Sequence, residues 1–534
     1  MKRTLGFAPS LSGGVALACW SGLQVKNAAA VAASGSKSSH SLFARSLSSQ
    51  TTSSQQPPRR MGQPHPSTHA HLLKPGEVTP GITAEEYEER RLRFVEQLPA
   101  GAIALVPSNP ERIMSNDIPY RFRQHTDFYY LCGYDEPDAF LLLKKQNTNE
   151  VHMSMFVRPR DPKREIWDGP RSGLEGAVEF FGADEAFSIE HHLEELPKLL
   201  SSASVICFDA DANMKATEKL APYLLRVEGK EIKNPKKILE SMRLVKSPAE
   251  IAIMRRSTHI SAQAFKEVMK DTKPGMTENV IEAMMEYEVR KRGALRLAYP
   301  PVIASGEHAN ILHYIANDDI LKEGDLLLVD AGGEYCNFSS DITRTWPISG
   351  KFSAAQKELY EALLEVQLKC IDKCRVGHGM SPLELHHYSA ELMADLLIKL
   401  GLSQDSASTI IKRRVPTFLL SCFFLLSRTP NLTPTTTKSY VKFYPHSIGH
   451  WLGMDVHDVH SISTATPFRP GMMCTVEPGI YIPSDMQEDI PARYRGIGIR
   501  IEDDLVIRED GEAPEVLTWE APKTVQEIES VMQA

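Results

Sequence analysis

Five short phrases in the second half of this chain restrict its fold more than anything else in it: LLLVDAGG, SSDITRTWP, PHSIGHWLGMDVHD, TVEPGIYI and GIRIEDDLV, in that order. Each is an apolar, strand-like run interrupted by one or two acids or a histidine. The interrupting residues of interest are Asp330, Asp341, His450, Glu477 and Glu502. A buried carboxylate is costly unless it is paired or coordinated. Four carboxylates converging on one place would repel one another unless cations sat between them. A metal site reconciles the pattern, although any one phrase alone would read as a strand with a solvated acid.

Alternation favours convergence. From Ile497 to Ile507, Ile497, Ile499, Ile501, Leu505 and Ile507 take one face while Gly498, Arg500, Glu502 and Asp504 take the other, and only Asp503 breaks the pattern. Arg500 and Glu502 therefore point the same way. The same logic groups Glu477, Gly479 and Tyr481, with the glycine leaving room for something to approach. Gly332, Gly333 and Asn337 suit a turn that returns the Asp341 strand beside the Asp330 strand, so both aspartates can face one cavity. Four oxygen donors and one imidazole suit Mn²⁺ better than a thiolate-rich zinc or iron site, with Zn²⁺, Co²⁺ and Fe²⁺ also compatible. Five ligands exceed the needs of one tetrahedral ion. Two ions roughly 3.5 to 4 Å apart, bridged by carboxylates, would use all five and activate a shared water for hydrolysis.

The five phrases, in this order and spacing, resemble the pita-bread metallopeptidases, and within them aminopeptidase P. Asp330 and Asp341 stand eleven residues apart and His450 precedes His457 by seven, as in that family's motif. The resemblance implies that Asp341 and Glu502 bridge two metal ions, most simply Mn²⁺, that Asp330 chelates one, and that His450 and Glu477 complete the other. It implies further that Glu477 shuttles a proton from the attacking water to the leaving nitrogen, and that His457 stabilises the tetrahedral oxygen. His313 matches a substrate-contacting histidine. His446, Tyr299, Tyr481 and Arg500 match positions that shape the proline-side pocket or support the ligands, though Tyr299 and Tyr481 alone would read as core aromatics. MSNDIPYRFRQHTDFYYLCGYDEPDAFLLL and REIWDGPRSG resemble the family's N-terminal domain, and Trp167 in the latter resembles an aromatic that in some members reaches a neighbouring subunit's site.

The implied architecture is α+β: a pita-bread catalytic domain over residues 241–534, preceded by a smaller α/β domain over 61–240. Thr83 with Glu86, and Ser247-Pro248-Ala249-Glu250, read as capping boxes opening helices in the two halves. Behind the second, Ile251, Met254, Phe265 and Met269 fit one helical face. Residues 1–60 form a leader. It has no acid before Glu77, carries Lys2, Arg3, Lys26, Lys37, Arg45, Arg59 and Arg60, and is dense in serine from Ser34 to Ser54, which resembles a mitochondrial transit peptide, with Arg45-Ser46-Leu47-Ser48 resembling a matrix-processing site. Location in the mitochondrion, in the matrix, follows as an expectation.

One segment departs from the family. Val415 to Lys438 (VPTFLLSCFFLLSRTPNLTPTTTK) inserts a Leu/Phe/Ser-rich stretch with a Thr/Pro tail before Tyr444-Pro445-His446. A valine codon opens with the bases that begin an intron, so the segment reads as a retained intron. A net charge of −8 gives no nucleic-acid footprint, no run of apolar residues is long enough for a transmembrane helix, and the eight cysteines lack CxxC spacing. The expected activity is a metal-dependent Xaa-Pro aminopeptidase that acts on peptide or protein N-termini, as a homodimer on family grounds. The alternatives are a prolidase-type dipeptidase and a pita-bread binding module without catalysis.

Overall fold

In this computed structural model, residues 43–44, 60–147, 150–211, 230–377, 379–404, 407, 439–487 and 489–534 are described. Most of the leader, including Arg45 to Ser48, and the whole of Val415–Lys438 lie outside the described residues.

The first half is built on a mixed sheet of β1 (Ala102–Pro107), β2 (Phe140–Asn147), β3 (Glu150–Val157), β4 (Glu185–Ser188), β5 (Val205–Cys207) and β6 (Glu231–Lys233), in the order β4-β3-β2-β1-β5-β6 with the short strand Phe43–Ala44 outside β4. β1, β2 and β3 pair antiparallel, whereas β3–β4, β1–β5 and β5–β6 are parallel. Helix α1 (Ala84–Glu96) is capped by the Thr83 side chain, as expected, but Glu86 does not close the box. Its carboxylate instead accepts from Arg90 at 2.6 Å and from Ser247 Oγ at 2.7 Å. The stronger charge-assisted partner wins the glutamate.

Helix α2 (Thr126–Cys132) is buried at every position. After α3 (Lys236–Leu244), the 24-residue α4 (Pro248–Asp271) opens with the expected capping box at Ser247 and Glu250. The apolar face expected on α4 divides between two cores. Ile251 and Met254 pack with the β1–β3 strands and α1, while Phe265 and Met269 join the main core of the second half. The first of these clusters also holds Phe338, Leu452, Met473 and Val506, so one hydrophobic core crosses position 240. Residues Leu42–Ala534 accordingly form a single unit.

The second half places four small antiparallel sheets, three of which carry the expected site residues, against helices α5 (Glu278–Lys291), α6 (Ala354–Lys373) and α7 (Pro382–Lys399). The strands of these three include β7 (Val302–Ser305), β8 (Leu326–Ala331), β9 (Ile342–Pro347), β10 (Met473–Val476), β11 (Gly479–Ile482), β12 (Ile497–Arg500) and β13 (Asp503–Val506), paired β7-β8-β9, β10-β13 and β11-β12. The architecture is α+β, as expected. Among the described residues no helix is long and apolar enough to cross a membrane. The six described cysteines are free thiols, five of them buried.

Candidate metal centre

β8 and β9 pair with Asp330 opposite Thr343 and Ala331 opposite Ile342, which brings Asp341, just before β9, beside Asp330. The chain returns through a hairpin whose turn residues, Cys336 and Asn337, have φ of 52° and 61°. Gly332 permits the return: a Cβ there would lie 1.7 Å from the Ser340 carbonyl oxygen. The Asp341 amide donates to Asp504 Oδ2 at 2.9 Å, fixing the aspartate's backbone to a buried acid of β13.

Glu477 and Glu502 sit at a shared break. β10 pairs with β13 through Val476 opposite Asp503, and β11 pairs with β12 through Gly479 opposite Arg500. Between them, Glu477-Pro478 on one strand faces Ile501-Glu502 on the other, outside either ladder. The Glu477 amide goes to the Ile448 carbonyl at 2.7 Å and the Glu502 amide to the Thr343 carbonyl at 3.0 Å. A hairpin that bends where both glutamates stand can turn both carboxylates into one cavity. The alternation read from Ile497 to Ile507 therefore spans two strands in two sheets. Asp503 breaks it because it serves another purpose: it is fully buried between Arg344 at 2.7 Å and Lys523 at 2.6 Å.

His450 lies against β10. Its amide donates to Thr475 Oγ1 and its carbonyl accepts from the Thr475 amide, and Gly449 permits the approach because a Cβ there would meet the Thr475 carbonyl at 2.1 Å. Nδ1 is 3.1 Å from the Trp451 carbonyl, which holds the proton on Nδ1 and, in the neutral ring, leaves the lone pair of Nε2 free to ligate a metal. Nε2 stands 3.4 Å from Asp341 Oδ2 and 3.7 Å from Glu477 Oε1.

Ligand atoms of Asp341, His450 and Glu502 lie within 4.8 Å of one another. Glu477 adjoins them through His450. Asp330 joins through Tyr299, whose hydroxyl is 2.7 Å from Asp330 Oδ1 and 2.5 Å from Asp341 Oδ1, while Arg500 reaches Asp330 Oδ2 at 2.6 Å. Without a cation these acids strain one another. Burial, with Asp341 and Asp330 nearby, pushes Glu477 up to about 7, and burial with three acidic neighbours drives Glu502 well above the usual carboxylate range. Burial acts to lower His450, but Asp341 and Glu477 outweigh it and hold the imidazole up at about 9. The donor set therefore fits divalent metal.

A pH dependence follows. A bound metal needs neutral His450 and ionised Glu477 and Glu502, so binding displaces a proton from His450 below about 9, another from Glu477 below about 7, and one from Glu502, whose pKa also stands well above the usual carboxylate range. Metal affinity is expected to fall by at least about tenfold from pH 8 to 7 and more steeply below pH 7. Equilibrium dialysis against Mn²⁺ at several pH values reads this, and an affinity flat from pH 5.5 to 8 would contradict it.

The remaining expected residues are assembled around the carboxylates. Arg500, 3% exposed, donates from Nη1 to the Tyr481 hydroxyl at 3.0 Å and from Nε to Thr343 Oγ1 at 3.1 Å. Thr343 in turn donates to Glu502 Oε2 at 2.6 Å. His446 Nε2 meets the Tyr481 hydroxyl at 2.9 Å, and burial together with Arg500 lowers its pKa to about 3, so the ring is neutral. Gly479 makes room, but for these neighbours: a Cβ would lie 2.4 Å from the Tyr481 hydroxyl and 2.8 Å from His446 Nε2. The His457 ring, exposed, stands edge-on to His450 at 4.5 Å between centroids. His313 is exposed within electrostatic reach of His446 and His457. All eleven expected residues thus lie in one neighbourhood.

Sequence reasoning missed Thr343, Asp504 and a buried charge network under the His457 loop. Arg243 binds Asp127 of α2 at 2.7 Å, Asp455 at 2.9 Å and Asp458, and Lys246 reaches Asp458 at 3.2 Å. Arg123 donates to the Met454 carbonyl at 2.8 Å, to Asp455 at 3.1 Å and to Glu334. Asp455 and Asp458 flank His457, so residues from the first half of the chain hold the loop that presents it. Thr343 was findable as the threonine two places after Asp341. The long-range pairs left no local signal.

Residues 252–509 match the metallopeptidase family M24 and residues 87–207 match the aminopeptidase P N-terminal domain. The chain is 39% identical over 492 residues to Xaa-Pro aminopeptidase 3 of Mus musculus, covering 89% of this chain and 91% of that one. It is 38% identical over 474 residues to the mitochondrial intermediate cleaving peptidase 55 of Arabidopsis thaliana, covering 89% and 88%. Among solved structures, the aminopeptidase PepP of Pseudomonas aeruginosa superposes with a TM-score of 0.76 at 36% identity, covering 85% of this chain and 98% of that one.

Proposed function

Because this chain belongs to the Xaa-Pro aminopeptidases of metallopeptidase family M24, we propose that it removes a single residue from peptide and protein N-termini in mitochondria, favouring bonds to proline, with two divalent ions, most simply Mn²⁺. The observation that carries this reading is the convergence of Asp341, His450 and Glu502 within 4.8 Å, beside Glu477 and Asp330, in a chain of metallopeptidase fold. The mitochondrial setting draws support from the acid-free, Ser-rich leader and from the name of the plant relative.

Ions held by Asp330, Asp341, His450, Glu477 and Glu502 supply Lewis-acid polarisation and lower the pKa of a water. The residues around them do the rest. Glu477 takes the proton of the attacking water and delivers it to the leaving nitrogen. His457 hydrogen-bonds the oxygen of the tetrahedral intermediate, and His313 contacts the peptide. Arg500, braced by Tyr481, Thr343 and Asp330, keeps the carboxylates and the His446–Tyr481 wall of the proline-side pocket in fixed positions. A proline nitrogen is a tertiary amide without N–H, so pockets that hydrogen-bond that N–H cannot take it, and a preformed wall can. Homodimerisation is supported by Ile166 and Trp167, 81% and 83% exposed on the short helix Pro162–Asp168.

N-terminal release from Tyr-Pro-Ala-Ala, Tyr-Ala-Ala-Ala and the dipeptide Tyr-Pro tests the substrate. The proposal expects both tetrapeptides to lose tyrosine, Tyr-Pro-Ala-Ala faster. Cleavage of the dipeptide alone would identify a prolidase-type enzyme instead.

A further inference from the structure

Glu278 is fully buried at the first turn of α5, yet it lies outside the metal centre. A buried carboxylate needs partners, and this one has five. Oε1 accepts from the Ser305 amide and hydroxyl, both at 2.8 Å, and meets His308 Nδ1 at 3.2 Å. Oε2 accepts from the Tyr314 hydroxyl at 2.8 Å and from the Asp319 amide at 3.0 Å. The Glu278 amide returns a bond to the Asp319 carbonyl at 2.9 Å. The helix N-terminus also favours the negative charge.

These partners share one segment. Ser305 and Asp319 bracket the loop 306–318, so a single carboxylate ties both ends of it. His308 and Tyr314, stacked at 4.3 Å between centroids, tie its interior to the same group. The far side of the loop is anchored separately, by Asn310 to the Ile482 amide and Glu307 to the Ser484 amide, each at 2.8 Å. His313 sits at the apex next to Tyr314, exposed between the exposed Ile311 and Ile315. His313 adjoins Tyr314 in the chain, and the Tyr314 hydroxyl bonds to Glu278 and, at 3.2 Å, to Asp318.

We infer that Glu278 is a positioning residue for substrate binding: through Tyr314 and the loop ends it orients His313 toward the peptide. This rests on the reading of His313 as a substrate contact. The test uses the full-length, Mn²⁺-loaded chain and Tyr-Pro-Ala-Ala, with Glu278→Gln, Tyr314→Phe, His313→Ala and the Tyr314→Phe/His313→Ala pair. Tyr314→Phe removes the hydroxyl's bonds to Glu278 at 2.8 Å and to Asp318 at 3.2 Å and keeps the ring, so it is the variant expected to fold. It should raise KM about fivefold, on the scale of lost hydrogen bonding, with kcat changed less than about twofold. Glu278→Gln should raise KM further in the same sense. In the His313→Ala background the Tyr314→Phe effect should vanish, because both act through one side chain. Additive losses in the pair, or an unchanged KM in Tyr314→Phe, would overturn the inference alone. An unchanged KM in His313→Ala would overturn the substrate role of His313 and the inference with it.

Discussion

Asp341→Asn is expected to lower bound metal and turnover together, turnover by about 10²- to 10⁴-fold, the scale of the several kcal/mol that metal polarisation supplies. Asp341 is the residue on which the centre's other groups meet: His450 Nε2 lies 3.4 Å from it, Tyr299 bonds to it, and its backbone is fixed by Asp504. An amide in its place keeps the shape and removes the charge and one ligand oxygen. It also removes the partner that holds His450 protonated in the metal-free state, so the His450 pKa should drop in the same variant. Metal analysis after dialysis, beside peptide release, reads both consequences. Wild-type turnover with wild-type metal content would refute the assignment of Asp341.

The second large effect is expected at a residue outside the candidate ligand set. Arg243 is 5% exposed and neutralises Asp127, Asp455 and Asp458, of which Asp127 and Asp458 are themselves buried. Among the described residues, Arg243→Met leaves Asp455 with Arg123, Asp458 with Lys246 and Asp127 with neither. Breaking a buried pair by removing one partner costs about 3–5 kcal/mol, because a charge stays behind without its counterion. Denaturant unfolding should show a loss on that scale. Because Asp455 and Asp458 bracket His457, kcat should also fall under conditions where the variant remains folded. Arg243→Lys, which keeps the charge and loses the fork, should fall between. A stability within about 0.5 kcal/mol of wild type, with full turnover, would show that the network neither stabilises the chain nor holds the His457 loop.

The contrast between these two residues shows what the sequence could reveal. Asp341 was legible because it interrupts an apolar run, where a carboxylate needs an explanation. Arg243, Asp127, Asp455 and Asp458 sit in mixed stretches where charges read as solvated, and only the packing of the two halves buries them together. The bend at Glu477-Pro478 and Ile501-Glu502 was equally hidden, because alternation reports which face a side chain takes and not which strand pairs with it. Tyr299 alone read more easily as a core aromatic, since its hydroxyl's two aspartate partners lie 31 and 42 residues away. The fold class and the residues that converge at the candidate site were readable from local pattern; the supports of the site were not, because they are made of contacts distant in sequence.

The central claim is that these five ligands hold metal that hydrolyses an N-terminal peptide bond. Titrating Mn²⁺ into chelator-stripped protein, while measuring both bound metal per chain and tyrosine release from Tyr-Pro-Ala-Ala, tests it most directly. No release is expected from stripped protein, and the rate should rise with bound metal to a maximum at two ions per chain. Release that persists without metal, or two bound ions with no release, would contradict it.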